Sequence, residues 1–415
     1  MVRPNERVGW PLTIGLGLQH LAAMFGSLLL VPALTGFPVS TTLLFSGLGT
    51  LLFLIVTRNR VPAYLAPSFA LIAPLAAARA QGLAAQLGGV LAVGLLLVVV
   101  GVGVKALGVR LLDSVMPPVV SGGIIVLIGL SLATTGTAGM GRQPTLAAVT
   151  LAVICVCAVL PGVVARLSVL IGVLVGWLAG ATYGMVDPAR MAALHHAAWV
   201  GMPVLSAPVL RPAIVPYVLP AVLVLVAQAA GSVQAIGAIT SRDLNGTVGD
   251  TLIAGGLANM LAGSGGGLGL GPAPQNLGVM AMNRVCSTAT YVLAAALAML
   301  AAFSPKFVAL VGTLPAGVIG AATVVLLGMV CLVGLRIWLD NRLDLRDPVN
   351  LVVIGVALIA GAGDLTVTMG VMSFHGVVWG SLLIVLGYPL LRALRSARPV
   401  RAAESTPLAA RNVRR

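Results

Sequence analysis

Apolar residues in this chain do not alternate with polar ones. They run on until Pro, Gly or an isolated charge cuts them into segments of about twenty residues, the length a helix needs to cross hydrocarbon. Cutting at those points predicts fourteen spans, near 10–33, 40–57, 62–78, 86–104, 113–135, 144–161, 166–184, 213–237, 250–264, 271–284, 287–303, 307–334, 348–362 and 373–391. Two segments are too interrupted to be ordinary helices. Residues 61–74 read VPAYLAPSFALIAP and residues 263–278 read GSGGGLGLGPAPQNLG. Proline removes a backbone donor and glycine weakens a helix, so each stretch is expected to be partly extended and followed by a half-helix. They are the third and tenth spans, hence the third of each seven-span half. An odd number of spans per half makes the second repeat enter from the opposite side. Broken helices at matching positions of inverted halves point to a transporter's midplane site. One such segment alone would mark only a kink or close packing.

Composition removes the soluble alternatives. Of 415 residues 59% are hydrophobic and 8% charged, with mean hydropathy +1.09, so the chain reads as an all-α polytopic membrane protein with no sizeable water-soluble domain. The net charge of +14 is strung singly between apolar segments, with no basic, aromatic-interleaved patch for nucleic acid. It records topology instead: the fourteen-span reading puts nineteen of the 24 Lys and Arg on the side holding both termini and five on the other. The expectation is an inner-membrane protein with cytoplasmic termini. No short apolar region before a small-residue cleavage pattern opens the chain, so no cleaved signal is expected. Cys155, Cys157, Cys286 and Cys331 lie in apolar stretches without the spacing of a metal site or disulfide framework, and no cofactor or metal is expected.

Candidate chemistry is polar but neutral. None of the ten acidic residues sits in the middle of a span, and no glutamate occurs between Glu6 and Glu404. Paired buried carboxylates for a proton relay or hydrolase are therefore missing, and an enzyme is not expected. Gln228, Ser232 and Gln234 lie in the eighth span; Gln275 and Asn276 begin the half-helix of the tenth. A buried carboxamide presents donors and an acceptor in one plane, matching the lactam or imide edge of a planar heterocycle. The competing reading is that amides tie helices together, and it is preferred for Gln234. Phe69, with Ser68 beside it, lies in the first broken segment, where a ring can stack on a flat ligand or simply pack. His20 is the one ionisable side chain well inside the first span, either functional or holding a backbone carbonyl. His195 and His196 fall in the long external loop and His375 at the outer start of the last span.

These residues resemble a known family, the nucleobase-ascorbate transporters, and within it the bacterial uracil and xanthine permeases. LQHLAAMFGSLLLVP, FSGLGTLLFL and VPAYLAPSFALIAP look like its first three spans, and IGVLVGWLAG, residues 171–180, is also similar. QNLGVMAMNR, residues 275–284, resembles its signature, with Asn283 where threonine is usual. The resemblance implies a core domain of spans 1–4 and 8–11 (residues 1–110 and 213–303) and a gate domain of spans 5–7 and 12–14 (111–184 and 304–392). Residues 185–212 would form an external loop and 393–415 a basic cytoplasmic tail. It implies a homodimer in the lipid membrane that carries a nucleobase, with a coupling proton or cation. Carried over residue by residue, it places substrate against Phe69, Ser68, Gln228, Ser232 and Gln275, with Ser27 approaching from the first span and Thr323 from the gate, and Asn276 bracing the core. The chain departs from the uracil permease pattern where AQAAGS replaces Ala-Glu-His-x-Gly-His, so Gln228 stands for a glutamate and Ser232 for a histidine. Ala273 and Pro274 likewise replace Tyr and Gly, and Leu327 stands where that permease has tyrosine. With amides at these places, His20 is the remaining candidate for proton coupling. An anion channel or exchanger of the sulfate permease architecture, its anion held between two half-helix amino termini, stays open as a second reading.

Overall fold

The computed structural model describes residues 2–4, 6–108, 117–131, 133–363, 367–369, 372–374 and 376–396. Asp113, Asp364, His375, Glu404 and the basic tail beyond Ser396 lie outside them. The chain opens with α1 (Trp10–Thr35), α2 (Val39–Val56), β1 (Leu65–Pro67), a 3-10 turn (Phe69–Leu71) leading into α3 (Ile72–Ala77), and α4 (Leu83–Leu107). There follow α5 (Pro118–Ser131), α6 (Ala133–Arg142), α7 (Pro144–Val159), α8 (Ser168–Thr182) and α9 (Pro188–His196). The opening order then recurs as α10 (Val215–Thr240), α11 (Val248–Gly265), β2 (Leu270–Pro272), α12 (Pro274–Asn283) and α13 (Thr288–Ala302). The chain continues through α14 (Pro305–Gly312), α15 (Ala316–Asp340), α16 (Pro348–Ala362), the hairpin β3 (Val367–Met369) and β4 (Met372–Phe374), and α17 (Gly376–Ser396). Both interrupted segments are strand and half-helix, as their Pro and Gly content predicts.

β1 and β2 pair antiparallel, in the register Leu65↔Pro272, Ala66↔Gly271 and Pro67↔Leu270. The ribbon is extended by bonds from Ser68 N–H to the Gly269 carbonyl (3.1 Å) and from Ala273 N–H to the Tyr64 carbonyl (3.0 Å). Both strands are buried, so their outer edges need partners that water cannot supply. Side chains provide them. On the β1 edge, Leu65 N–H donates to Thr50 Oγ1 (2.9 Å) and Ser46 Oγ donates to the Leu65 carbonyl (2.6 Å), both side chains from α2. On the β2 edge Asn259 of α11 does both: Oδ1 accepts from Leu270 N–H (2.8 Å) and Nδ2 donates to the Leu270 carbonyl (2.9 Å). Each strand is thus completed by the helix immediately before it. Gly271 lets α10 lie against the ribbon, since a Cβ there would stand 2.9 Å from Leu225 and 3.1 Å from Gln228 Oε1.

Around this ribbon the largest hydrophobic cluster draws mainly on α1 to α4 and α10 to α13, and it takes in Val120 and Ile124 of α5, Leu327 of α15, Val353 of α16 and Ile384 of α17. A second cluster joins Leu146, Ile154, Val173, Val318, Ala322 and Leu326 of α7, α8 and α15 to Leu30 of α1. Phe69 packs against both. By length and composition five described helices suffice to cross a membrane, and α13 with α14 makes a sixth candidate bent by 84°. The bend falls at the expected boundary between 303 and 307; a separate break divides the segment read as 307–334 into a short helix ending at Gly312 and a long one starting at Ala316, with Pro315 as its N-cap. Helix also continues past residue 135, as α6, to Arg142. The 185–212 segment contains α9 and then runs across the fold, where Ser206 N–H meets the Gly265 carbonyl (3.3 Å) and Val209 N–H the Ala84 carbonyl (2.8 Å).

Replacing Asn259 with alanine orphans a buried donor and acceptor on the ribbon edge, each at about 1–3 kcal/mol. Asn259→Ala should lower the melting temperature of the detergent-solubilised protein by several degrees, while Ser264→Ala, whose exposed hydroxyl bonds only to its own helix, should not. Equal melting of Asn259→Ala and the unaltered chain contradicts this role for the ribbon edge.

Candidate functional site

The ribbon ends where the candidate residues gather. Gln228, half-buried on α10, straddles both strands: Nε2 donates to the Pro272 carbonyl (2.9 Å), and Ser68 Oγ, at the end of β1, lies 3.5 Å from Oε1. Ser68 also accepts from Ala70 N–H (3.3 Å), capping the turn that carries Phe69. Ser232 is buried one turn further along α10. Gln275, second residue of α12, is partly exposed and makes no side-chain hydrogen bond to another described residue. The backbone N–H groups of Phe69 and Gln275 head the two half-helices, where first-turn donors have no intrahelical partner. The site therefore offers neutral, directional hydrogen bonding, half-helix dipoles and one aromatic face. No acidic residue and, among the described residues, no metal-binding group of His, Cys, Asp and Glu belongs to it.

Asn276 and His20 do a different job. His20 is buried, its Nδ1–H directed at Asn276 Oδ1 (3.2 Å) and its ring 4.5 Å from that of Tyr291. Asn276 Nδ2 reaches Met24 Sδ (2.8 Å). At the other end of α12, Asn283 Nδ2 donates to Gln19 Oε1 (2.9 Å). The half-helix is fastened to α1 at both ends, and the departure from threonine at Asn283 is accommodated by Gln19. Two other candidates spend their hydroxyls locally: Ser27 donates to the Met24 carbonyl (2.9 Å) and Thr323, on α15, to the Ile319 carbonyl (2.7 Å). The structure brings Ser68, Phe69, Gln228, Gln275 and Asn276 to the ribbon; Thr323 lies on α15, which gives Leu327 to the ribbon cluster and Val318, Ala322 and Leu326 to the second one.

Gln234, expected to tie helices together, is instead exposed, with no bond to a described residue. His195 and His196 are exposed at the end of α9. Sequence reasoning missed Thr50, Ser46 and Asn259, and also Gln86, whose Nε2 donates to the Thr35 (3.1 Å) and Leu75 carbonyls and so ties α1 and α3 to α4. An asparagine alone in the apolar run of α11 was the available signal for the β2 edge.

The Permease family profile matches residues 12–370. The putative pyrimidine permease RutG of Escherichia coli (strain K12) is 37% identical over 402 residues, covering 92% of this chain and 91% of that protein. The uracil permease of Bacillus caldolyticus is 36% identical over 409 residues, 94% of each chain. Among solved structures, the transmembrane domain of a cyanobacterium bicarbonate transporter BicA superposes with TM-score 0.62 at 15% identity, covering 92% of this chain and 99% of that one. The murine Slc26a9 anion transporter in the inward-facing state gives 0.65 at 12%, with 95% and 70% covered. At such identities these two structures share the fold and nothing finer. The profile match and the nearly full-length alignment with permeases are of another kind, and they place this multi-pass membrane protein in the Permease family, whose members are transporters and not enzymes.

Proposed function

We propose that the chain carries a nucleobase, uracil or a related pyrimidine or purine, across the cytoplasmic membrane by alternating access. The observation that carries the reading is the arrangement at the ribbon. Gln228 is anchored by one N–H to the Pro272 carbonyl, while Gln275, three residues beyond Pro272 at the head of α12, makes no side-chain hydrogen bond to another described residue. A flat ligand with a lactam or imide edge satisfies such groups, and Phe69 supplies a face on which it stacks. The names of the aligned permeases, uracil and pyrimidine, support that class of substrate. Fourteen spans, cytoplasmic termini and a homodimer belong to the same reading. So does the division into core (1–110, 213–303) and gate (111–184, 304–392), with Phe69 packed against both hydrophobic clusters. Movement of one group against the other then exposes the ribbon site to each side in turn.

Radiolabelled uptake of uracil, xanthine, hypoxanthine and urate in a transport-deficient host tests the substrate class. Saturable uptake of at least one base is expected, and uptake of none at normal surface expression contradicts the reading. Gln275 is the cleaner residue to change, because Gln228 also supports the ribbon. Gln275→Ala should weaken binding about five- to hundredfold, equivalent to about 1–3 kcal/mol, and wild-type affinity in that variant removes it from the site.

Neither an amide nor a serine hydroxyl titrates in the physiological range, so Gln228, Ser232 and Gln275 cannot change charge with pH. His20 is the remaining group for proton coupling, acting through Asn276 at the head of α12. Uptake into proteoliposomes should be either insensitive to a protonophore or driven by protons in a way that His20→Gln abolishes. Proton-driven accumulation that persists unchanged in His20→Gln contradicts both.

A further inference from the structure

Three buried polar atoms around His20 have no hydrogen-bond partner among the described residues: Gln19 Nε2 on α1, and Ser287 Oγ and Tyr291 OH at the start of α13. Ser287 and Tyr291 are wholly buried. Gln19 directly precedes His20, and its Oε1 is taken by Asn283 Nδ2 (2.9 Å), which leaves the buried Nε2 over. Ser287 is the N-cap of α13 yet makes no side-chain cap bond, so its hydroxyl serves no group of its own helix end. Tyr291 follows four residues later on the same face, its ring 4.5 Å from that of His20. Aromatic side chains in helices lean back over the preceding turn, which carries the phenol toward Ser287. Because α1 packs against both α12 and α13, the three atoms belong to one wedge between these helices. Its outer edge is Asn283, half-buried, and Arg284, exposed. Residues 2–4 lie along that edge: Val2 N–H donates to the Arg284 carbonyl, Cys286 N–H to the Val2 carbonyl and Thr288 N–H to the Pro4 carbonyl, each at 3.0 Å. The proposed topology puts this edge in the cytoplasm.

Folded proteins leave few buried polar atoms unpaired, and ordered water serves those that protein groups do not reach. An amide donor, a hydroxyl and a phenol supply the two to four partners that such a water needs. We propose that ordered water bridges Gln19, Ser287 and Tyr291 and forms a polar path from the cytoplasmic end of α12 and α13 to His20. The proposal rests on the reading of His20 as the coupling group and adds to it the route by which the proton arrives. His20 Nδ1 is engaged by Asn276, so Nε2 is the ring nitrogen that receives the proton. One proton enters the water at the surface and one leaves it for Nε2, and no side chain in between changes charge. Other titratable groups stand apart from this route. Among the elements packed on α1, α2, α3, β1, α8 and α12 contain none. On α15, Cys331 Sγ lies against the Val126 carbonyl (3.6 Å), while Arg336 and Asp340 are exposed. Arg3, Glu6 and Arg7 are exposed on the segment before α1, and Cys286 is buried beside Ser287.

X-ray hydroxyl-radical footprinting of the unaltered protein tests the water directly, because radicals formed from bound water oxidise the side chains it touches. Tyr64 is the internal reference, being equally buried and sharing a hydrogen bond with Ser46 Oγ (3.2 Å). Tyr291 should be oxidised at least about tenfold faster than Tyr64, and equally slow oxidation of the two overturns the water path. In proteoliposomes, Ser287→Ala combined with Tyr291→Phe should slow proton-driven uracil uptake at least about fivefold, while uracil counterflow, which needs no net proton movement, stays within about twofold. Unchanged proton-driven uptake in that variant overturns the path, and so does an equal loss of uptake and counterflow, which marks a structural pair only. Uptake by the unaltered chain that ignores a proton gradient overturns the route to His20. If the unaltered chain takes up no base at all, the nucleobase reading fails, and the oxidation of Tyr291 against Tyr64 still decides the water.

Discussion

A backbone that leaves the helix inside a membrane must find a partner for every N–H and C=O, and this constraint organises the whole protein. Here two three-residue strands satisfy one another on their inner edges, and Thr50, Ser46 and Asn259 satisfy the outer ones. Proline at Pro67 and Pro272 lightens the demand by removing donors. The arrangement requires α2 and α11 to lie against the ribbon at fixed heights, since a shift of one residue in either would turn the polar side chain away from the strand. It also turns the two half-helices in opposite directions, because the strands are antiparallel. Their amino-terminal ends thereby become a matched pair of unsatisfied donors at one place.

Function resides in what this scaffold leaves over. Gln228 is part anchor and part ligand group: one N–H holds Pro272 and the rest of the amide faces Ser68. Asn276 is wholly occupied, by His20 on one side and Met24 on the other, and His20 is held in turn against Tyr291. With Gln19 and Asn283 at its far end, α12 is tied to α1 and will move with it. Gln275, projecting from that fixed half-helix, is the group with hydrogen-bonding capacity to give. A site built from amides recognises shape and hydrogen-bond pattern without charge, which suits a neutral heterocycle better than it suits an ion.

The broken segments were legible in the sequence because Pro and Gly act locally: a run such as GLGLGPAPQN cannot be helical whatever surrounds it. The signature residues Gln275 and Asn276 were legible through resemblance. The jobs of individual polar residues were not, because they depend on which groups meet across long sequence separations. Asn259 and Leu270 are close in sequence yet on different elements, and His20 and Asn276 are 256 residues apart. Gln234 was misread for the same reason, since sequence gives its periodicity but not what stands opposite. The boundary at Thr313–Pro315 was hidden inside a continuous apolar run, where hydropathy does not separate two consecutive apolar helices.

The fold is shared with transporters of bicarbonate and other anions, so the claim that matters most is the chemistry of the ribbon site. Equilibrium binding to the purified chain by titration calorimetry tests it most directly, with uracil and bicarbonate titrated separately and then in competition. Saturable binding of uracil that bicarbonate does not displace is expected; saturable binding of bicarbonate with none of uracil would contradict a ribbon site for a neutral heterocycle.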